Sequence, residues 1–229
     1  MLILGLAKTT LLDYPEHLAA TIFTGGCNFR CQYCHNRELV INSNVSNVIT
    51  EDEVFEHLEK RKNVLEGVCI SGGEPTLQAD LKEFIIRVRK LGLLVKLDTN
   101  GSNPEILREL IEESLLDYVA MDIKNVWSKY DVTVGAKCDI SRVKESYSIL
   151  LNSKIDYEFR TTVTRELVTK DDMVDLSVIL KNAKRWYVQN YKESENVIQK
   201  GLHEYCEEEL KEIIKNIGRD NVYLRGVNL

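Results

Sequence analysis

Three cysteines fall within eight positions in the stretch GGCNFRCQYCHN (25 to 36), spaced C-x3-C-x2-C, and no second pair elsewhere completes a set of four. A structural zinc site is closed by four ligands. His35 directly follows Cys34, too close to finish a tetrahedron easily. An iron–sulfur cube ordinarily takes four thiolates as well. Held by three, it keeps one iron open to an exogenous ligand, and that asymmetry accounts for the motif. Cys27, Cys31 and Cys34 are therefore the candidate metal ligands, with a zinc site or a chance cluster as the alternative.

The other three cysteines are scattered. Cys69 sits mid-strand in VCIS, and Cys206 joins Leu210, Ile213, Ile214 and Ile217 at helical spacing, so both are expected to be small buried hydrophobes. Cys138 lies in a loop-like stretch and receives no role. In a chain of 229 residues with many helix and strand signals, six cysteines argue against a disulfide scaffold. They argue for a reducing, cytoplasmic setting.

The scaffold that must hold the cluster reads as an alternation. Strand-like runs stand at 18–24, 67–71, 93–98, 117–122, 157–163 and 185–190, and NVYLR (221–225) adds a final edge strand. Thr50 with Glu53 forms a capping-box signal for a helix carrying Val54, Phe55 and Leu58. Leu81, Phe84, Ile85, Val88 and Leu91 mark one face of the next helix, closed by Gly92. Asn103-Pro104 opens a third, with Ile106, Leu107, Leu110 and Ile111. Further helices are expected near 143–151, 171–183 and 203–217. Such alternation implies a parallel sheet with crossover helices. A complete eight-fold barrel takes about 250 residues. Six clear units behind a long lead-in loop predict an open partial (β/α)6 barrel, forming a single domain over 1–229.

Four polar loops follow successive strands: the cysteine loop, Ser71-Gly72-Gly73-Glu74-Pro75, Asp98-Thr99-Asn100-Gly101, and Asp122-Ile123-Lys124. One such loop would be ordinary solvated chain. Four in register mark the catalytic rim of a barrel. With 30 Lys and Arg against 36 Asp and Glu, the chain carries a formal charge of −6. That balance gives no electrostatic footprint for nucleic acid or an anionic membrane. The first residues do not read as a signal peptide, and no apolar run reaches bilayer length.

Here the residues resemble a known family. CNFRCQYC, with an aromatic before its third cysteine, is similar to the radical S-adenosylmethionine (SAM) signature, and GGEP in the next βα loop to its companion motif. The resemblance implies a [4Fe–4S] cluster on Cys27, Cys31 and Cys34, whose open iron chelates the amino and carboxylate groups of SAM. Reductive cleavage would leave methionine and a 5′-deoxyadenosyl radical. TGGCNFRCQYCHN, SGGEPTLQ, KLDTNG and YVAMDIK together resemble glycyl-radical enzyme activases, in particular those for anaerobic ribonucleotide reductase. The implied partners are that glycyl-radical enzyme and an electron donor of the flavodoxin or ferredoxin type. Asp13-Tyr14-Pro15-Glu16 departs from the DGPG-type segment of many activases, which leaves the target enzyme open. Activation of pyruvate formate-lyase and small-molecule chemistry like that of a 7-carboxy-7-deazaguanine synthase are the other readings. A non-enzymatic metal module is a further class.

By the same resemblance, Tyr33 packs near the adenine, or serves as a plain hydrophobic wedge. Gly72 and Gly73 let main chain approach the SAM amino group, and Glu74 and Pro75 fix their turn. Asp98 and Asp122, with the carbonyls of Thr99 and Ala120, would surround a monovalent cation beside the SAM carboxylate. The alternative is that the two acids pair with Lys124 or loop amides. Asn100 is expected at the ribose and Arg160 at SAM. His17, His57 and His203 have no motif around them and read as surface or packed residues.

Overall fold

The computed structural model describes residues 1–41 and 48–226. Its elements run β1 (Ile3–Thr10), β2 (Ala19–Thr24), α1 (Arg37–Val40), α2 (Glu51–Arg61), β3 (Gly67–Gly72), α3 (Leu81–Lys90), β4 (Leu94–Thr99) and α4 (Pro104–Glu112). They continue with β5 (Tyr118–Asp122), α5 (Tyr130–Val134), α6 (Ile140–Asn152), β6 (Asp156–Val163), α7 (Lys170–Ile179), β7 (Trp186–Asn190), α8 (Glu207–Ile217) and β8 (Val222–Arg225). The strands form one sheet in sequential order, with β1 and β8 at its two ends, so it does not close. All neighbours from β2 to β8 pair in parallel. This is the open partial barrel that the alternation predicts.

The lead-in is not a loop. Residues 3–10 form β1, antiparallel to β2, with Ile3 opposite Thr24 and Ala7 opposite Thr21. Its burial follows no clean alternation, because only Ile3 is fully covered and Lys8 and Thr9 are exposed. A half-wetted edge strand carries little period-two signal.

Local signals set most helix starts. The Thr50–Glu53 capping box is formed, and an unforeseen one, Thr169–Asp172, begins α7. Pro104 occupies the first turn of α4 as expected, but Asn103 makes no side-chain cap. Its amide donates to the Thr76 carbonyl at 2.9 Å instead. Cys206 is a correction: it is exposed, standing as the N-cap of α8 outside that helix's buried face of Leu210 and Ile213. Cys69 is buried as expected.

The strand period sends alternate side chains to opposite faces. Val68, Ile70, Val95, Leu97, Val119, Met121 and Phe159 belong to the large core under the helices. On the inner face, the N-terminal end of the barrel is plugged by Tyr14, Ala19, Tyr118 and Ala120, with Leu94 against them.

Candidate active site

The cysteine loop between β2 and α1 has almost no secondary structure of its own, so its backbone must find partners elsewhere. Gly25 N–H donates to Leu2 at 2.9 Å, Gly26 N–H to Leu39 at 2.8 Å and Arg30 N–H to Val134 at 2.8 Å. From the far end of the chain, Ile198 N–H reaches the Cys34 carbonyl at 3.2 Å and Gln199 N–H the Gln32 carbonyl at 2.9 Å. Thus clamped, Cys27, Cys31 and Cys34 wall a cavity of about 250 Å³. Burial pushes the Cys27 thiol up and takes Cys31 to about 11. Two N–H groups aim at the Cys27 sulfur: Phe29 N–H at 3.4 Å and the Asn100 amide at 3.8 Å.

Gly72 and Gly73 are required by the packing of the protein itself. A Cβ on Gly72, whose φ is +111°, would lie 2.4 Å from the Thr24 nitrogen, and one on Gly73 would lie 1.9 Å from the Gly26 carbonyl oxygen. The close approach is between this loop and the cysteine loop. Gly73 N–H donates to Thr24 and Glu74 N–H to Gly26, both at 2.8 Å, stitching the two loops together.

Glu74 and Pro75 are not part of the cavity wall. Glu74 is fully buried, and its carboxylate accepts from Thr76 N–H at 3.1 Å, Thr76 Oγ1 at 2.6 Å, Thr99 Oγ1 at 2.7 Å and Asn100 N–H at 2.6 Å. Burial raises its proton affinity, and those donors oppose the rise. Glu74 therefore locks the Thr99–Asn100 loop to the GGEP turn, with Pro75 opening a short 3-10 turn. Asn100 lines the cavity. Its amide bonds Asn28 Oδ1 at 2.9 Å as well as Cys27, which places it on the cysteine loop.

The cavity floor is an ion array. Arg160 Nε donates to Asp122 at 2.9 Å and its Nη1 to Asp98 at 3.1 Å. Lys124 bonds Asp122 at 2.9 Å, and Lys96 and Ser71 both bond Asp98. Burial works against both carboxylates' charge, yet Arg160 with Lys96 holds Asp98 well below the carboxylate range, and Arg160 with Lys124 lowers Asp122. Three cations serve two carboxylates, leaving one positive charge in excess on the floor. The pairing with Lys124 is thus observed for Asp122 alone, whereas Asp98 pairs with Lys96 and Arg160. The oxygens of both acids are taken by the protein's own cations, and the arrangement does not fit a monovalent metal ion.

Of the predicted site residues, the three cysteines, Tyr33, Gly72, Gly73, Asp98, Thr99, Asn100, Asp122, Lys124 and Arg160 line one cavity. Sequence reasoning placed Ser71 on the rim without a role and missed Asn36, Thr162 and Gln189 in the same wall. Thr162 was recoverable from its period-two relation to Arg160. His35 also lines the cavity, with its ring 5.7 Å from Tyr191 and Nδ1 3.2 Å from Ser194.

This wall fits the expected cofactors. Among the described residues no three His, Cys, Asp or Glu side chains gather closely enough for a single metal ion. Three thiols spread round a cavity suit a larger polynuclear cluster. The excess cation suits a carboxylate. The Tyr33 hydroxyl is buried without a protein hydrogen-bond partner, so that a bound ligand or a water can meet it there.

A partial parallel barrel, a three-thiol loop and polar strand-end loops around one cavity define an enzyme that works through a cluster and a bound cosubstrate. The Radical SAM superfamily profile matches residues 21–177, and the chain belongs to that superfamily. It is 33% identical over 236 aligned residues, 99% of this chain and 97% of the relative, to a Methanocaldococcus jannaschii protein whose name provisionally assigns it as a glycyl-radical enzyme activating enzyme. It is 29% identical to the 7-carboxy-7-deazaguanine synthase of Thermococcus kodakarensis, over 87% of this chain and 82% of that one. Streptococcus suis SuiB bound to S-adenosylmethionine shares the fold, with a TM-score of 0.69 and 17% identity. The alignment covers 90% of this chain and 49% of SuiB, so the chain spans about half that protein's length. No helix among the described residues is long and apolar enough to cross a membrane.

Proposed function

We propose that this radical SAM enzyme is a glycyl-radical activase that takes a Cα hydrogen from a glycine of a partner enzyme, an anaerobic ribonucleotide reductase. The observation that carries the activase reading is the whole-length similarity to the M. jannaschii protein provisionally named a glycyl-radical enzyme activating enzyme, a name that specifies no partner. The CHN, DTNG and MDIK elements of the sequence support it.

In this reading Cys27, Cys31 and Cys34 hold a [4Fe–4S] cluster, reduced by a flavodoxin- or ferredoxin-type donor. Cluster-bound SAM supplies a one-electron bond cleavage that generates the hydrogen-abstracting group. The chain's own residues bind, orient and exclude water. Arg160 and Lys124 direct positive charge at the carboxylate end of the cosubstrate. Both stay protonated: burial opposes their charge, and Asp122 together with further neighbours, Asp98 and Glu158 for Arg160 and Tyr33 and Cys31 for Lys124, more than offsets it. Tyr33 offers its unpaired hydroxyl to the nucleoside end. Glu74, outside the cavity wall, holds the surrounding loops in place, and Asn100 ties the wall to the cysteine loop.

The test is anaerobic reconstitution with iron and sulfide, then SAM and reductant, with the reductase added. Electron paramagnetic resonance should show a glycyl doublet on the partner. Deuterium placed at that glycine Cα should appear in 5′-deoxyadenosine. Transfer of label from a small molecule instead would replace this reading with the small-molecule one, which the similarity to the T. kodakarensis synthase favours.

A further inference from the structure

The inner face of the last three strands continues beyond the cavity. Arg160, Thr162 and Gln189 line the cavity. In register, Arg160 pairs with Tyr187 and Tyr187 with Tyr223, while Thr162 pairs with Gln189 and Gln189 with Arg225. Paired residues of a parallel sheet share a face. The row that holds Arg160 therefore runs outward into two tyrosines, and the row that holds Gln189 ends in Arg225.

This part of the face is open. Tyr223 is 43% exposed and the Arg225 side chain 36%, whereas Lys96 and Ala120, inner-face residues of β4 and β5, are 2% and 0% exposed. It is also braced from beneath. The fully buried Glu158 accepts from Tyr118 at 2.8 Å and from both Arg225 guanidinium nitrogens at 2.9 and 3.3 Å. Arg225 thereby lies across the Tyr187 ring, its Cζ 3.9 Å from the ring centre, and the Tyr187 and Tyr223 rings sit 5.3 Å apart. A buried ion pair contributes little net stability. Here it fixes two rings, of which Tyr223 is exposed and Tyr187 half-buried.

We propose that Tyr187, Tyr223 and Arg225 form a ledge that seats the extended segment flanking the partner's target glycine; this rests on the activase reading. A substrate held by a folded protein must be guided into the cavity along a surface continuous with it, and this face is continuous with it. Rigid tyrosine rings give large contact area at low entropic cost. The neighbouring sheet edge adds main-chain recognition, because β8 pairs only with β7 among the described residues, leaving a free edge for strand addition. The opposite edge is occupied: Ile49 N–H bonds Ile3 O at 3.0 Å, and His57 bonds Lys8 O at 2.9 Å.

The test compares reconstituted wild type with Tyr223→Ala, Tyr187→Ala and Tyr223→Phe, matched for iron content and unfolding midpoint. Anaerobic binding to intact anaerobic ribonucleotide reductase and to intact pyruvate formate-lyase is titrated, and glycyl radical is read by spin resonance. For the enzyme that wild type activates, the alanine variants should bind at least about tenfold more weakly. The phenylalanine variant, which keeps the ring, should stay within about twofold. Equal affinity for wild type and Tyr223→Ala overturns the ledge while leaving the activase reading intact. Failure of wild type to put a radical on either enzyme overturns the activase reading, and the ledge with it.

Discussion

The inner face of the sheet carries two regions built on the same strands. Toward the strands' N-terminal ends it is apolar and aromatic, with Leu94 and Tyr118 packed on Tyr14 and Ala19. Toward the C-terminal ends it becomes ionic, with Lys96, Asp98, Asp122 and Arg160 in one bonded array. On β4 a two-residue step leads from Leu94 to Lys96, and on β5 from Ala120 to Asp122. The first region seals the barrel mainly by apolar and aromatic packing, with the buried Glu158 beside Tyr118 met by Arg225. The second keeps costly charges out of water, which is tolerable only where each is paired. The fold is held at one end and used at the other.

The sharpest way to break this contrast is Arg160→Met. It leaves Asp98 and Asp122 sharing one region without the cation that joins them, and should cost about 3–5 kcal/mol of stability. It should also abolish measurable SAM binding, read by equilibrium dialysis of the reconstituted protein. Tyr14→Ala in the plug should cost about 3 kcal/mol through the cavity it leaves. Denaturant unfolding should register that loss while SAM affinity stays at the wild-type value.

A smaller, graded effect comes from acid. Asp98 and Asp122 have folded pKa values below those of the unfolded chain, which lie near ~4. The unfolded state therefore binds protons first. Their contribution is complete above the unfolded value and is lost as pH falls through the folded one. Thermal midpoints should drop on acidification below about pH 4, and the drop should be shallower in Asp122→Asn. A midpoint as steeply pH-dependent in the variant as in wild type would assign the acid sensitivity to other carboxylates.

The smallest effect concerns the turn that brings Tyr14 into the plug. Glu16 sits at φ +67°, a left-handed conformation that costs a residue with a Cβ roughly 1 kcal/mol. Glu16→Gly should raise stability by about 0.5–1 kcal/mol, since glycine's greater unfolded-state entropy offsets part of the relief. A differential calorimetry shift of a few degrees upward is the expected reading.

Much of this was legible along the chain. The cysteine spacing, the β2-to-β8 alternation and the four strand-end loops are local patterns, and each is found where the sequence places it. Lys124 and Arg160 were legible as site residues, although their bonding partners were not. Glu74 fixes its turn as expected and Asn100 lines the cavity, but their bonding partners were not legible, because the direction of a side chain depends on what the fold packs beside it. Cys206 failed because helical spacing continues by arithmetic past the residue where the helix begins.

What the sequence by itself determined is the three-thiol loop and the alternation of strands and helices. Both follow from short-range rules: three thiols within eight residues, and periods of two and 3.6. Only the tertiary structure decided how charge is distributed at the site. Arg160 meets Asp122 across 38 residues and Asp98 across 62, and Arg225 meets Glu158 across 67. Such pairings arise from the register between strands and from the inner face that each strand presents. The cost of leaving a charge unpaired there then selects which groups must meet. The open edge beside Tyr223 has the same origin, since it exists only because the sheet stops at β8 without meeting β1.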